Sequence, residues 1–262
     1  MISIGLGLTI GESAGGFSAE YAAVLANGTS RGATLPSGSQ QAKQNQLIVD
    51  LKTAGIWDKL DAFYMLACDG NSAFALINWK NPSANYGTAV NSLPTFTTNQ
   101  GFTGSGTNAI NLNFAANSGT NFANPNASMG AFVGTVSTTA GSIFMGADNS
   151  RNYIRQSTNV PVLNLQTCQL SGSSYDGAVV ANNNMMHVNV NSTNARLFLN
   201  GSVSGGGYKG AWFTDTTNFH LFKTAQGTLY GNSQIKMAFI GGDLAALASS
   251  FYGTINTYFN NL

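Results

Sequence analysis

Charge is scarce in this chain: only 8% of its 262 residues are Asp, Glu, Lys or Arg, and the formal net charge is +1. Proteins that neutralise nucleic-acid phosphates concentrate Lys and Arg in a stripe or patch. Here eleven basic residues are scattered, so no nucleic-acid partner is expected. Long hydrophobic runs are also missing. "FYMLA" (63–67) and "MAFIGG" (237–242) fall far short of the roughly 20 apolar residues that span a bilayer, and no membrane span is expected. The N-terminal "MISIGLGLTIGESAGG" has neither a basic n-region nor a convincing apolar h-region, which argues against a secretory signal and for folding in a cytoplasm. In that compartment the two cysteines, Cys68 and Cys168, read as buried thiols rather than a disulfide. With no CxxC and only His187 and His220 as histidines, no zinc site forms at familiar spacings. "GADNSRN" offers calcium a single turn, Asp148 and Asn149. No metal and no cofactor are therefore expected.

Glutamate is the scarcest acid. Glu12 and Glu20 are the only two, both near the N-terminus, whereas sandwich-fold glycosidases place a carboxylate pair across a cleft. The aspartates fall mostly at turn or cap positions. No GxSxG elbow accompanies the histidines, which lie inside strand-like segments and read as ordinary surface or hydrogen-bonded side chains. "GFTGSGTN" (101–108) lacks the GK[ST] ending of a phosphate loop and reads as a turn. This inventory predicts that the protein is not an enzyme.

Uncharged polarity takes the place of charge: 31 glycines, with abundant Asn, Ser and Thr, suit many turns between short strands. In residues 1–38, Ile2, Ile4, Leu6, Leu8 and Ile10 alternate with small or polar residues. That period of two predicts an extended arm, which either adds an edge strand to its own domain or docks on another subunit. Residues 39–262 then read as one helix plus a β-sandwich. Ser37 or Ser39 caps the helix, Leu47, Leu51 and Ala54 share a face, and Gly55 ends it. In "GIWDKLDAFYMLACDG" (55–70), Trp57 and Leu60 read as anchors sealing the helix to the first strand, with Asp58 and Asp61 capping or punctuating the junction.

From residue 61 onward short strands are predicted at 62–67, 74–79, 109–114, 130–136, 142–146, 151–156, 161–166, 185–190, 195–200, 218–223 and 235–240. Asn200-Gly201 marks a type I′ hairpin. Leu244, Leu247, Phe251, Ile255, Tyr258 and Leu262 recur at helical spacing behind Asp243 as N-cap, which predicts one C-terminal helix lying on the sandwich. The fold class expected is all-β, a jelly-roll sandwich with one short N-terminal and one C-terminal helix. The Gly-rich loop "SGGGYKGAWF" (204–213) presents Tyr208, Lys209 and Trp212 as candidate ligand contacts, aromatic faces for a sugar ring and an amine for an anion; alternatively Trp212 begins the next strand.

The run "GIWDKLDAFYMLACDGNSAFALINWKNP", with "VNSLPTFTTNQGFTGSGTNAINLNF", "ARLFLNG" and the closing "FIGGDLAALASSFYGTINTYF", resembles a module of bacteriophage and prophage virion proteins, tail-fibre-like or spike proteins with a concanavalin A/laminin G-like jelly roll. The resemblance implies a structural virion protein, displayed as a fibre, spike or decoration and used in adsorption to a host-surface glycan. In that setting the alternating pattern of residues 1–38 predicts attachment to other virion proteins through this arm, and the avidity of fibres and spikes predicts homo-oligomerisation. The alternative is a free-standing carbohydrate-binding module.

Overall fold

A computed structural model describes residues 16–262 apart from 124, 138, 140, 148–151, 157–161, 168–174, 180, 193, 209–215 and 226–229. Cys168, Asp148, Asn149, Lys209 and Trp212 lie outside the described residues, and only the backbone of Tyr208 is described.

Short β-rich segments separated by Asn and Gly turns build two antiparallel sheets. Sheet A contains β1 (Leu60–Met65), β3 (Thr95–Thr97), β4 (Gly101–Thr103), β6 (Ala127–Val133), β11 (Asn184–Val190), β12 (Asn194–Leu199), β13 (Ser202–Tyr208) and β15 (Gln234–Gly241). Its order is β13-β12-β11-β6-β15-β4-β3, with β1 also paired to β15. Sheet B contains β2 (Thr88–Val90), β5 (Ala109–Ala115), β7 (Ile143–Gly146), β8 (Asn152–Gln156), β9 (Val162–Thr167), β10 (Tyr175–Val179) and β14 (Asn218–Leu221). Its order is β10-β9-β8-β7-β14-β5-β2. The architecture is an all-β, concanavalin A-like jelly-roll sandwich.

The two sheets differ in what covers them. In β5 the apolar Ile110, Leu112 and Phe114 are buried while Asn111 and Asn113 between them are half-exposed, as expected of a strand with one solvated face. In β6 every residue is buried, so sheet A is covered on both sides. One side meets sheet B, and Tyr64 reaches across the sandwich to donate to the Leu112 carbonyl at 2.9 Å. The other side carries a helical layer: α1 (Ala19–Ser30), α2 (Gly38–Thr53) and α4 (Ala248–Asn260), with a one-turn α3 (Ser72–Ala75) after β1. Phe239 and Phe132 of sheet A meet Phe251 and Phe259 of α4, with ring centroids 4.7 and 4.4 Å apart.

Several expectations are corrected. Residues 19–30, read as part of an extended arm, are helical. Ser18 accepts from the Tyr21 amide as N-cap, and Tyr21, Val24 and Gly28 form a buried face at helical spacing that the Gly- and Ala-rich composition obscured. Gly28 is placed by packing, since a Cβ there would stand 2.8 Å from Leu35. Residues 74–79 are not a strand: Asn71 caps α3 by accepting from the Phe74 amide, and the apolar run fills the core as helix and coil. Asp243 does not cap α4; its carboxylate accepts from the Ala245 amide two residues on, at the entry to the 3-10 turn Ala245–Leu247 that precedes the helix. "GFT" (101–103) is strand β4 rather than a turn, and one C-terminal helix lying on the sandwich becomes a layer shared with α1 and α2. The Asn200-Gly201 hairpin forms as expected, with both residues at positive φ (50° and 77°) joining β12 to β13.

Candidate functional site

The stretch 55–80 ties the helical layer to sheet A. Helix α2 ends in a Schellman motif: Gly55 takes φ +68°, its amide bonds to the Lys52 carbonyl, and the Ile56 amide bonds to the Leu51 carbonyl. The turn delivers Ile56 and Trp57 into the core, where Trp57 is 3% exposed and Leu60 1%. The Trp57 ring meets Phe63 edge-on at 6.2 Å; Phe63 meets Trp79, and Trp79 meets Tyr21 of α1, each at 5.7 Å. Lys80 lies over the Trp57 ring at 4.5 Å and donates to the Trp57 carbonyl at 2.7 Å; burial lowers its pKa. A polar chain crosses the same layer, with Tyr21 donating to Gln44 (2.6 Å) and Gln44 to Tyr258 of α4 (3.3 Å). Trp57 and Leu60 are thus both buried, with the Trp57 ring against Phe63 of sheet A. Cys68 beyond them is a buried thiol, pushed up to about 12 by desolvation.

The two aspartates act differently from the expected junction caps. The Asp58 side chain is exposed, and its backbone carbonyl accepts from the Asn121 amide group. The Asp61 carboxylate reaches a loop sixty residues on, accepting from the backbone amides of Thr120 (3.2 Å), Asn121 (3.0 Å) and Phe122 (2.6 Å) and from Asn121 Nδ2 (3.2 Å). Three successive amides converging on one carboxylate hold that loop from one side. Phe122, buried and edge-on to Phe219 at 5.4 Å, holds it from the other.

A polar pocket of about 270 Å³ opens beside this clamp, lined by Lys59, Thr120, Asn121, Ala123, Asn126 and the Gly242–Asp243 pair. Its walls are the turn before β1, the clamped loop and the exit of β15. They are drawn together by the Gly242 amide bonding to the Lys59 carbonyl at 2.8 Å and by Ser128 donating to the Gly242 carbonyl at 2.6 Å. Asp243 Oδ1 accepts from Asn189 (2.8 Å) as well as from the Ala245 amide. Sequence reasoning missed this pocket because its residues come from three distant segments. A smaller cavity of about 120 Å³ lies between α2 and α4, beside Lys43, Asp50 and Tyr258.

The Gly-rich loop expected at 204–213 begins instead as strand: Gly205, Gly206 and Gly207 pair with Leu197, Arg196 and Ala195. Gly206, at φ 156°, leaves no room for a Cβ, which would lie 2.5 Å from the Ala195 carbonyl oxygen. The glycines there serve strand packing, and Tyr208 stands at the end of β13.

His187 corrects the expectation of ordinary, satisfied histidines. It is fully buried on β11, stacked on Phe198 (5.0 Å) and edge-on to Phe239 (5.4 Å), with the Asn189 side chain nearby, and among the described residues neither ring nitrogen meets a partner at hydrogen-bonding geometry. Desolvation pushes its pKa down to about 3. His220 Nδ1 lies 2.9 Å from the Asn218 carbonyl oxygen. Among the described residues, no three His, Cys, Asp or Glu side chains gather as a metal site, and no helix is long and apolar enough to cross a membrane.

No protein-family model matches the chain, and no curated protein sequence is similar to it. Solved structures are similar in fold. A sialidase from Trypanosoma rangeli matches at a TM-score of 0.53 and 9% identity, over 85% of this chain and 40% of that one. A mutant of that sialidase displaying trans-sialidase activity matches at 0.56 and 10%, over 82% and 39%. A mutant of HCR/D matches at 0.50 and 12%, over 79% and 53%. The chain therefore spans about two-fifths of the sialidases and about half of HCR/D. At such identities the likeness establishes the fold alone. It nevertheless overturns the exclusion of enzymes drawn from the glutamate inventory, because proteins named as sialidases contain this same sandwich.

Proposed function

We propose that the protein is a structural component of a bacteriophage particle, displayed at its surface as a fibre, spike or decoration and used in adsorption to a host glycan. The observation that carries this reading is the behaviour of residues 55–82, the run resembling virion modules. It folds as one unit, in which Trp57, Phe63 and Trp79 join the helical layer to sheet A and the Trp79 amide bonds to the Phe63 carbonyl at 2.8 Å. The motifs that carry the resemblance are fold motifs, so what they support is a module reused for its shape. In this reading the alternating N-terminal segment contacts other virion proteins, and several copies act together, so that modest affinities multiply. Mass spectrometry of purified particles from the bacterium carrying the gene tests the proposal. The chain should be present at fixed stoichiometry with the other structural proteins, and its absence from particles would reject it.

A second reading is a free-standing carbohydrate-binding module. It is supported by the sandwich shared with proteins named as sialidases, and by a rigid pocket lined with amides and hydroxyl groups. Secretion of the intact chain without particles, together with glycan binding, would favour it over the first.

A further inference from the structure

We infer that the pocket between Lys59, the 120–126 loop and Asp243 is the carbohydrate site, and that it takes a single neutral sugar residue through its hydroxyl groups. This rests on the reading that the sandwich recognises glycan, shared by both proposals above, and it moves the contact surface away from the Tyr208–Trp212 segment.

Size limits the ligand first. About 270 Å³ lies just under the roughly 300–1,000 Å³ of drug-sized ligand pockets, which suits one sugar ring rather than a chain. Chemistry limits it next. Among the described residues no aromatic side chain lines the walls, so recognition comes from hydrogen bonds, and the available groups alternate in kind. Both N–H groups of the Asn121 side chain are committed, one to the Asp58 carbonyl at 3.1 Å and one to Asp61 at 3.2 Å. That fixes its Oδ1 as an acceptor. Asp243 Oδ1 already takes two donors, which leaves Oδ2 as a second acceptor. The exposed Thr120 hydroxyl and Asn126 amide hold no structural hydrogen bond among the described residues and offer both donors and acceptors, while the Lys59 ammonium adds donors. Sugar hydroxyl groups, each both donor and acceptor, match such an array, and the mixed charges of Lys59 and Asp243 favour a neutral ring over an anionic one.

Rigidity is the third argument. The loop that contributes four wall residues is pinned by three backbone amides on Asp61 and by the buried Phe122 ring. Binding therefore orders little, and a few hydrogen bonds suffice for measurable affinity.

Saturation-transfer NMR on the full chain, with the methyl glycosides of glucose, galactose, mannose and N-acetylglucosamine as probes, tests the assignment. At least one should receive saturation. Thr120→Val and Asn126→Ala should each weaken its binding about three- to tenfold, the worth of one net hydrogen bond, while leaving the melting temperature unchanged. A Tyr208→Ala, Trp212→Ala double variant should bind as the unaltered protein does. Binding that survives both pocket substitutions but is lost in the double variant would overturn the pocket while leaving glycan recognition intact. Absence of transfer to all four probes would overturn the inference, and the virion reading would still be judged separately by the composition of the particles.

Discussion

Acidification should weaken the fold through His187, by an amount that follows from its surroundings. The imidazole is enclosed by Phe198 and Phe239, with Asp243 as the charged group that raises its pKa and burial as the larger effect that lowers it, from 6.5 to about 3. The unfolded chain binds a proton at this position below about pH 6.5, and the folded protein does not until about pH 3. Unfolding therefore takes up one proton throughout that window. The stability associated with the neutral ring is complete above pH 6.5 and is lost as pH falls. Each pH unit within the window removes about 1.4 kcal/mol, so a change from pH 7 to pH 4.5 removes about 2–3 kcal/mol. That is a large share of the roughly 5–15 kcal/mol that holds a typical domain folded. His220, also lowered by burial, contributes with the same sign, so the decisive comparison is with His187→Leu. Leucine keeps an apolar side chain between the two rings and removes two buried, unpartnered nitrogens; at neutral pH the variant should be at least as stable as the unaltered protein. Urea unfolding at about pH 7 and about pH 4.5 measures both differences. An equal loss of stability on acidification in the two proteins would refute the reasoning.

Other perturbations address the seam and the clamp. Trp57→Ala should cost about 3–5 kcal/mol, the range for a buried large aromatic, seen as a fall in melting temperature of about 10 °C or more; an unchanged value would mean that Trp57 seals nothing. Asp61→Ala should cost about 2–3 kcal/mol through its charge-assisted bonds and speed hydrogen exchange at the Thr120, Asn121 and Phe122 amides; unaltered exchange would show that Phe122 alone holds the loop. Gly201→Ala should destabilise the β12–β13 hairpin, since its φ is +77° and a Cβ would stand 2.7 Å from Ser249 Cα; a thermal melt matching the parent's would contradict that. In a Cys168→Ser background, Cys68 should resist a thiol reagent at about pH 8 until the protein is unfolded, and rapid labelling of the folded protein would count against its burial.

The parts of the fold that were legible in the sequence are those fixed by short-range chemistry. Alternation in "AINLNF" and "MMHVNV" marks β5 and β11, Asn-Gly marks the hairpin, and Ser37 with Gly55 brackets α2. Misreadings arose where a local pattern was degenerate. The apolar run "FALINW" is equally compatible with a strand or with buried helix and coil, and Asn71 as a cap decided it. In "SAEYAAVLANG", small residues concealed a helix whose buried face is narrow. Strands β2, β3 and β4, three residues each, are too short to show a period. Pairing across distance was invisible altogether: nothing near Asp61 announces that its partners are Thr120, Asn121 and Phe122.

That long-range pairing answers what the acidic, aromatic run "GIWDKLDAFYMLACDG" is for. Its apolar residues and its acids face different tasks from the same short segment. Trp57, Leu60 and Phe63 enter the seam between helices and sheet, whereas Asp61, half-buried at the start of β1, turns toward the 120–122 loop. Because β1 pairs along β15, the end of β15 that carries Gly242 and Asp243 lies beside Lys59, which is bonded through its carbonyl to the Gly242 amide. The seam therefore sets the position of two pocket walls, and Asp61 sets the third. A substitution that loosens Trp57 should then blur the pocket as well as lower stability, whereas Thr120→Val and Asn126→Ala change the pocket's chemistry and leave the seam intact. The two classes of variant separate a binding role from a structural one: weaker sugar binding with an unchanged melting temperature belongs to the pocket alone, and weaker binding that tracks the melting temperature belongs to the lock.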